Sequence, residues 1–353
     1  MRVHSNSIIK PLQRVKPLCF GALLFPSLLM SPVSHAGALD ANSLCSHLTE
    51  GANCTQDTNL LSGISKVEDL DRFFWRADNF YHSGPGEAQI YTKGQIQFNG
   101  SDQSVSLIAE KKPSGGHNYS SGWLATQGVF DINRVGGKPG DPTIKRGAIE
   151  VTAKVAYSNG LWPAIWMMPN NDRMNDGGGH PWPGAGKDTW PAGMEIDILE
   201  LMYKPYPVMS TIHYPSNPYA GDGSEAVNAA PAQGISGYHH YGMEWNLTQY
   251  GDYMTFYYDG DSYFQIELHP DSAVLRNLKT GGTKNLSPEA SKTAYDSFHK
   301  GFDSGYYLIM NMAVGGAVTE PIKIDGLPQE QREMRIQAVH RYIIGNSESA
   351  QES

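Results

Sequence analysis

Cysteine is scarce in this chain: three occur among 353 residues, at Cys19, Cys45 and Cys54. Two thiols near the start of a folded domain are too few for a structural zinc site without further ligands. In an oxidising compartment Cys45 and Cys54 are expected to pair and close a small loop. Long apolar runs are also missing. Beyond residue 36 no segment is long and apolar enough to span a membrane. Positive charge is the third shortage, with 27 Lys and Arg against 36 Asp and Glu, a net of −9. Residues 1–36 hold four basic residues (Arg2, Lys10, Arg14, Lys16) and no acid, so the remainder carries −9 − 4 = −13. That balance argues against nucleic acid, an anionic membrane or a sulfated polysaccharide as partner.

The N-terminus has the order of an export signal. A basic lead precedes the apolar stretch "PLCFGALLFPSLLMSPV", and "SHAG" follows with small residues at Ser34 and Ala36. Cleavage is expected after Ala36, with the protein secreted or periplasmic. Residues 37–70 then read as a lead-in segment, 71–345 as one domain and 346–353 as a disordered tail. Without a second recognisable domain the expectation is a monomer.

What is abundant points to β-structure. Glycine (38), proline (22) and tyrosine (19) are plentiful. Short strand-like runs such as "QIQFNG", "GAIEVTAKVAY" and "YYLIMNMAVGG" alternate with turn signals. "FYYDGDSYFQI" reads as a hairpin turning at Asp259-Gly260. Such density predicts an all-β fold of two antiparallel sheets packed as a sandwich. Loops are expected at 131–145, 169–190 and roughly 269–300, the last with a short helix around 287–299.

Within this pattern, "MEIDILELMY" (194–203) places Glu195, Asp197 and Glu200 in an apolar run, where unpaired carboxylates are costly. On a helix, Asp197 and Glu200 would stand at about 200° and 140° from Glu195, giving no common site. On a strand, Glu195 and Asp197 share a face, and one extra residue in a β-bulge returns Glu200 to it. Ile196 and Ile198 would then face the core. Two carboxyl groups flanking one bond are what glycoside hydrolysis with retention requires. A middle acid would move their pKa values apart.

These residues resemble family 16 glycoside hydrolases of the laminarinase-like, endo-1,3(4)-β-glucanase branch. "EIDILE" is similar to that family's bulged E-x-D-x-x-E signature. "YSSGWLATQG" (119–128), "GLWPAIWMM", "TWPAGMEIDILE", "STIHY" (210–214) and "FDSGYYLIMNMAVGG" (302–316) extend the resemblance over roughly residues 72–343. It implies a concanavalin A-like jelly roll with a concave cleft. It also implies Glu195 as nucleophile, Glu200 as acid/base and Asp197 as the residue that tunes Glu195.

Aromatic rings stack on the apolar faces of sugars. Trp162, Trp166, Trp190 and Tyr119 are therefore expected to bind substrate, with Trp182 a further platform in its loop. The resemblance adds His213, near the acid/base, and Asn311 at the cleft edge. Glu150 reads as a surface or rim acid, and His180, His239 and His240 as surface residues. Two departures stand out. Thr152 replaces an arginine common in the family, and Gln337 replaces an aspartate that helps bind calcium. A neutral amide is a weak calcium ligand, so a structural calcium stays open but doubtful, no metal-ligating residue is assigned and no cofactor is required.

The sequence thus predicts a retaining endo-β-glucanase acting on β-1,3-glucan, with mixed-linkage glucan as a further substrate. A transglycosylase, an agarase- or carrageenase-type galactanase and a non-catalytic glycan-binding protein remain open. Intact acids weigh against the last.

Overall fold

A computed structural model describes residues 44–48, 53–82, 86–173, 188–202, 207–216, 222–230, 237–316 and 321–345. The export signal, His180, Trp182 and the tail 346–353 lie outside these residues.

Alternation of side chains builds the architecture. Along strand Arg146–Val155, Ile149, Val151, Ala153 and Val155 turn into the main core. Along Leu161–Pro169, Ile165 and Met167 join that core, while Ala164, Trp166 and Met168 enter a separate aromatic cluster on the other face. A period of two with both faces covered is the mark of a central strand. Among the described residues the strands form a ten-stranded and a seven-stranded sheet. Pairing within both is antiparallel. The larger sheet centres on Arg146–Val155, between His239–Thr248 and Glu333–Gly345. In the smaller, Leu161–Pro169 lies between the acidic strand Glu195–Glu200 and Tyr306–Val314. Ile149, Met243 and Val339 of one sheet and Ile196, Leu308 and Met310 of the other share the core between them. This is the expected β-sandwich jelly roll.

The Asp259-Gly260 hairpin forms as expected, both residues having positive φ (50° and 80°), as a tight primed turn requires. The stretch 269–300 is more ordered than the sequence suggested. It contributes strands Ala273–Asn277 and Gly282–Asn285 and a 17-residue helix, Pro288–Ser304. Ser287 caps that helix, its side chain accepting from the Ala290 amide at 3.2 Å, and proline opens the first turn.

Asn53–Asn59, placed by sequence in a lead-in, pairs with the final strand Glu333–Gly345. Cys45 and Cys54 are bonded, as expected. Leu44 packs with Ala148, Tyr342 and Ile344 on the outer face of the large sheet. Beneath it lies Glu150, which is buried, contrary to the surface expectation. Its carboxylate accepts from the Leu44 amide (2.6 Å) and the Tyr342 hydroxyl (3.1 Å) and lies 3.4 Å from His240 Nδ1. His240 is accordingly buried rather than a surface residue. The two sit diagonally on adjacent strands, Glu150 in register with Gly242 and His240 with Thr152, a placement the sequence alone could not register.

Candidate active site

The acidic strand carries the bulge that its spacing demanded. Its register against Leu161–Pro169 shifts between Asp197 and Leu199, and against Val208–Pro215 between Asp197 and Glu200. Ile196, Ile198 and Leu199 all point into the core. The extra inward residue returns Glu200 to the side of Glu195 and Asp197.

Each outer acid receives an indole N–H. Trp190 Nε1 donates to Glu195 Oε2 at 2.6 Å, and Trp162 Nε1 donates to Glu200 Oε1 at 3.1 Å. Thr211 Oγ1 also donates to Glu200, through Oε2 at 3.0 Å. His213 was expected near the acid/base. It stands in register with Glu195, with Nε2 3.3 Å from Asp197 Oδ2. That is a tertiary placement: its neighbour strand runs antiparallel, so Thr211 rather than His213 meets Glu200.

Two assigned residues are more deeply buried than expected. Trp166 is a buried wall, edge-on to Trp123 (centroids 5.6 Å apart) and stacked with His82 at 6.3 Å. Asn311 is also buried rather than lining the edge. Its Oδ1 accepts from Trp166 Nε1 at 2.8 Å, and its Nδ2 donates to the Tyr91 hydroxyl at 3.0 Å. Tyr119 packs beside the main core on the short strand Tyr119–Ser121. Sequence reasoning passed over Trp123, Tyr91 and the His82–Glu87 pair (3.0 Å). These come from separate strands and loops and form no linear motif.

Burial raises all three carboxyls, and repulsion within the group adds to it. Glu195 is pushed up to about 8, Asp197 to about 7 and Glu200 to about 7. Three acids this close do not all ionise at neutral pH, and their protons leave in coupled steps. The Trp190 N–H and His213 favour charge on Glu195. His213, Thr211 and Trp162 do the same for Glu200.

Glu195, Asp197 and His213 offer ligand atoms within 4.8 Å of one another, close enough to hold a cation. On the far side, Gln337 is exposed at a bulge in the final strand. A neutral amide is a weaker calcium ligand than a carboxylate.

No family model matches the sequence. The chain is 27% identical to a β-glucanase of Rhodothermus marinus over 236 residues, covering 66% of each chain. It is 31% identical to a β-1,3-glucan-binding protein of Penaeus monodon over 180 residues, 48% of this chain and 43% of that one. It thus spans less than two thirds of either relative. Its fold is similar to the laminarinase catalytic domain of Thermotoga maritima (TM-score 0.53, 22% identity, 83% of this chain and 97% of that one). The sequence relatives and the fold agree with the resemblance to laminarinase-like glycoside hydrolases of family 16.

Proposed function

We propose that the protein is an exported, retaining endo-β-glucanase that hydrolyses β-1,3-glucan and also mixed-linkage β-1,3-1,4-glucan. One observation carries this reading: a bulged strand sets Glu195 and Glu200 on one face, each hydrogen-bonded to its own tryptophan. The Rhodothermus β-glucanase supports the choice of substrate. The Cys45–Cys54 bond and the leader-like N-terminus support export.

In the first displacement, Glu195 attacks the anomeric carbon as the glycosidic C–O bond breaks. Glu200 gives its proton to the departing oxygen. Asp197, between them and paired with His213, holds Glu195 in place and disperses charge. In the second displacement Glu200 takes a proton from water, whose oxygen attacks the same carbon and releases Glu195. The two displacements as written require no metal. One copy of the chain carries both acids and both indoles, so the reaction as written needs no second subunit, and a monomer is the form proposed.

The test is a reducing-sugar assay on laminarin, mixed-linkage glucan, agarose and κ-carrageenan, with Glu195→Gln as control. The expected result is laminarin cleavage that disappears in the variant, with the product's β-anomer appearing first by NMR. Cleavage of a galactan alone would overturn the substrate. Tight glycan binding without turnover would replace the enzyme by a binding protein, in line with the Penaeus relative.

A further inference from the structure

The turn Trp190–Met194 leads into the acidic strand. It carries the donor indole at one end and Glu195 just past the other. Met194 is fully buried and has φ +64°, in the left-handed region that a residue with a β-carbon rarely adopts. Such a conformation persists only where the surroundings fix it.

Two buried side chains and one glycine fix it here. Asp172 Oδ2 accepts from the Gly193 amide at 2.9 Å. The Tyr306 hydroxyl lies against two successive carbonyls, Gly193 at 2.7 Å and Met194 at 3.0 Å. Gly301 of helix Pro288–Ser304 supplies the space, since a β-carbon there would collide with the Gly193 carbonyl and the Tyr306 hydroxyl. All three are buried, so none is available to touch a polysaccharide. Asp172 is also a costly residue to keep, because its Oδ1 accepts no hydrogen bond.

We propose that Asp172 and Tyr306 form a clamp on residues 190–194 and are positioning residues for Glu195 and its indole partner. The proposal rests on Glu195 being the nucleophile. The clamp grips the backbone on both sides of Met194, so releasing it lets the turn relax and draws Trp190 and Glu195 out of register. An error of about 1 Å at a nucleophile costs on the order of a hundredfold in rate. Burial pushes Asp172 up to about 7, so a neutral acceptor can serve in its place. Asp172→Asn keeps a carbonyl oxygen for Gly193, whereas Asp172→Ala removes it.

The experiment compares Asp172→Asn, Asp172→Ala and Tyr306→Phe in the full chain, well below each variant's melting temperature. Three quantities are read: kcat and KM on laminarin, the rate of covalent labelling of Glu195 by a 2-deoxy-2-fluoro glucoside, and the Trp190 indole N–H resonance, assigned with Trp190→Phe. Asp172→Ala and Tyr306→Phe are expected to lose tenfold or more in kcat and in labelling rate, with KM within about threefold and the indole signal shifted. Asp172→Asn is expected to stay within about threefold of wild type with its signal in place. Unchanged kcat, labelling and indole signal in both disruptive variants would overturn the clamp, even if their melting temperatures fell. A wild type that cleaves no glucan fails the functional reading instead. The indole signal then still decides the clamp, a shift in both disruptive variants upholding it and an unmoved signal overturning it.

Discussion

Trp190 and Glu195 are joined by an N–H···O bond of 2.6 Å, while Trp162 makes the equivalent bond to Glu200 at 3.1 Å. Each of the two acids assigned to chemistry therefore carries its own indole donor. Donation to an ionised carboxylate is worth about 1.5–3 kcal/mol. These tryptophans act on the acids as well as on any sugar above them.

Removing one donor should show this. Trp190→Phe is expected to lower kcat about tenfold or more, corresponding to the lost charged hydrogen bond. A donor N–H favours the ionised form, so its loss raises the Glu195 pKa further. The acidic limb of the pH–rate profile should move to higher pH, read from initial rates across pH 4–9. An unmoved limb would separate Trp190 from the titration of Glu195.

The two outer acids should respond differently to truncation. Glu195→Ala is expected to lose at least about a thousandfold on every substrate. Glu200→Ala should lose about a hundred- to ten-thousandfold on laminarin. It should form the covalent intermediate almost normally from an aryl glycoside whose leaving group needs no proton. Added azide should restore turnover of that aryl glycoside in Glu200→Ala by replacing water. Equal losses on both substrates would reverse or void the assignment.

The same acids limit stability at alkaline pH. Their folded-state pKa values are raised, so their contribution is fully present below the ordinary carboxyl range and is lost as pH rises through about 7 to 8. Glu200→Gln is therefore expected to melt higher than wild type at pH 9, with the difference vanishing near pH 4. Calorimetric scans at both pH values decide it.

Glu150 has the opposite sign. Burial works against its charge, but His240, His340 and the Leu44 amide outweigh that and hold it down at about 2. Its stabilisation is present above the ordinary glutamate range and is lost as pH falls toward 2. Glu150→Ala, which leaves these partners without their acceptor, is expected to destabilise the fold by about 3 kcal/mol at pH 7. Kinetics on laminarin should be unaffected, since Glu150 faces away from the acidic strand's sheet. Urea unfolding measures the first and initial rates the second.

The sequence by itself determined what depends on neighbours along the chain. The spacing of Glu195, Asp197 and Glu200 demanded a strand with a bulge, because no helix brings them together. Ile196 and Ile198 were legible as core for the same reason, and the hairpin at Asp259-Gly260 followed from turn chemistry. The length of helix Pro288–Ser304 was underestimated, because its buried face pairs with residues of other elements rather than with its own flanks. Tertiary structure alone decided which group meets which acid. His213 reaches Asp197 through strand register, and Asn311 lies 145 residues from the indole it holds. Asp172 and Tyr306 stand 21 and 113 residues from the glycine they clamp. Glu150 shows the same division: its charge is written in the chain, but its burial and its histidine partners exist only once the large sheet has formed. Periodicity is a local property of the backbone, whereas desolvation and hydrogen-bond partners arise only when distant segments exclude water together.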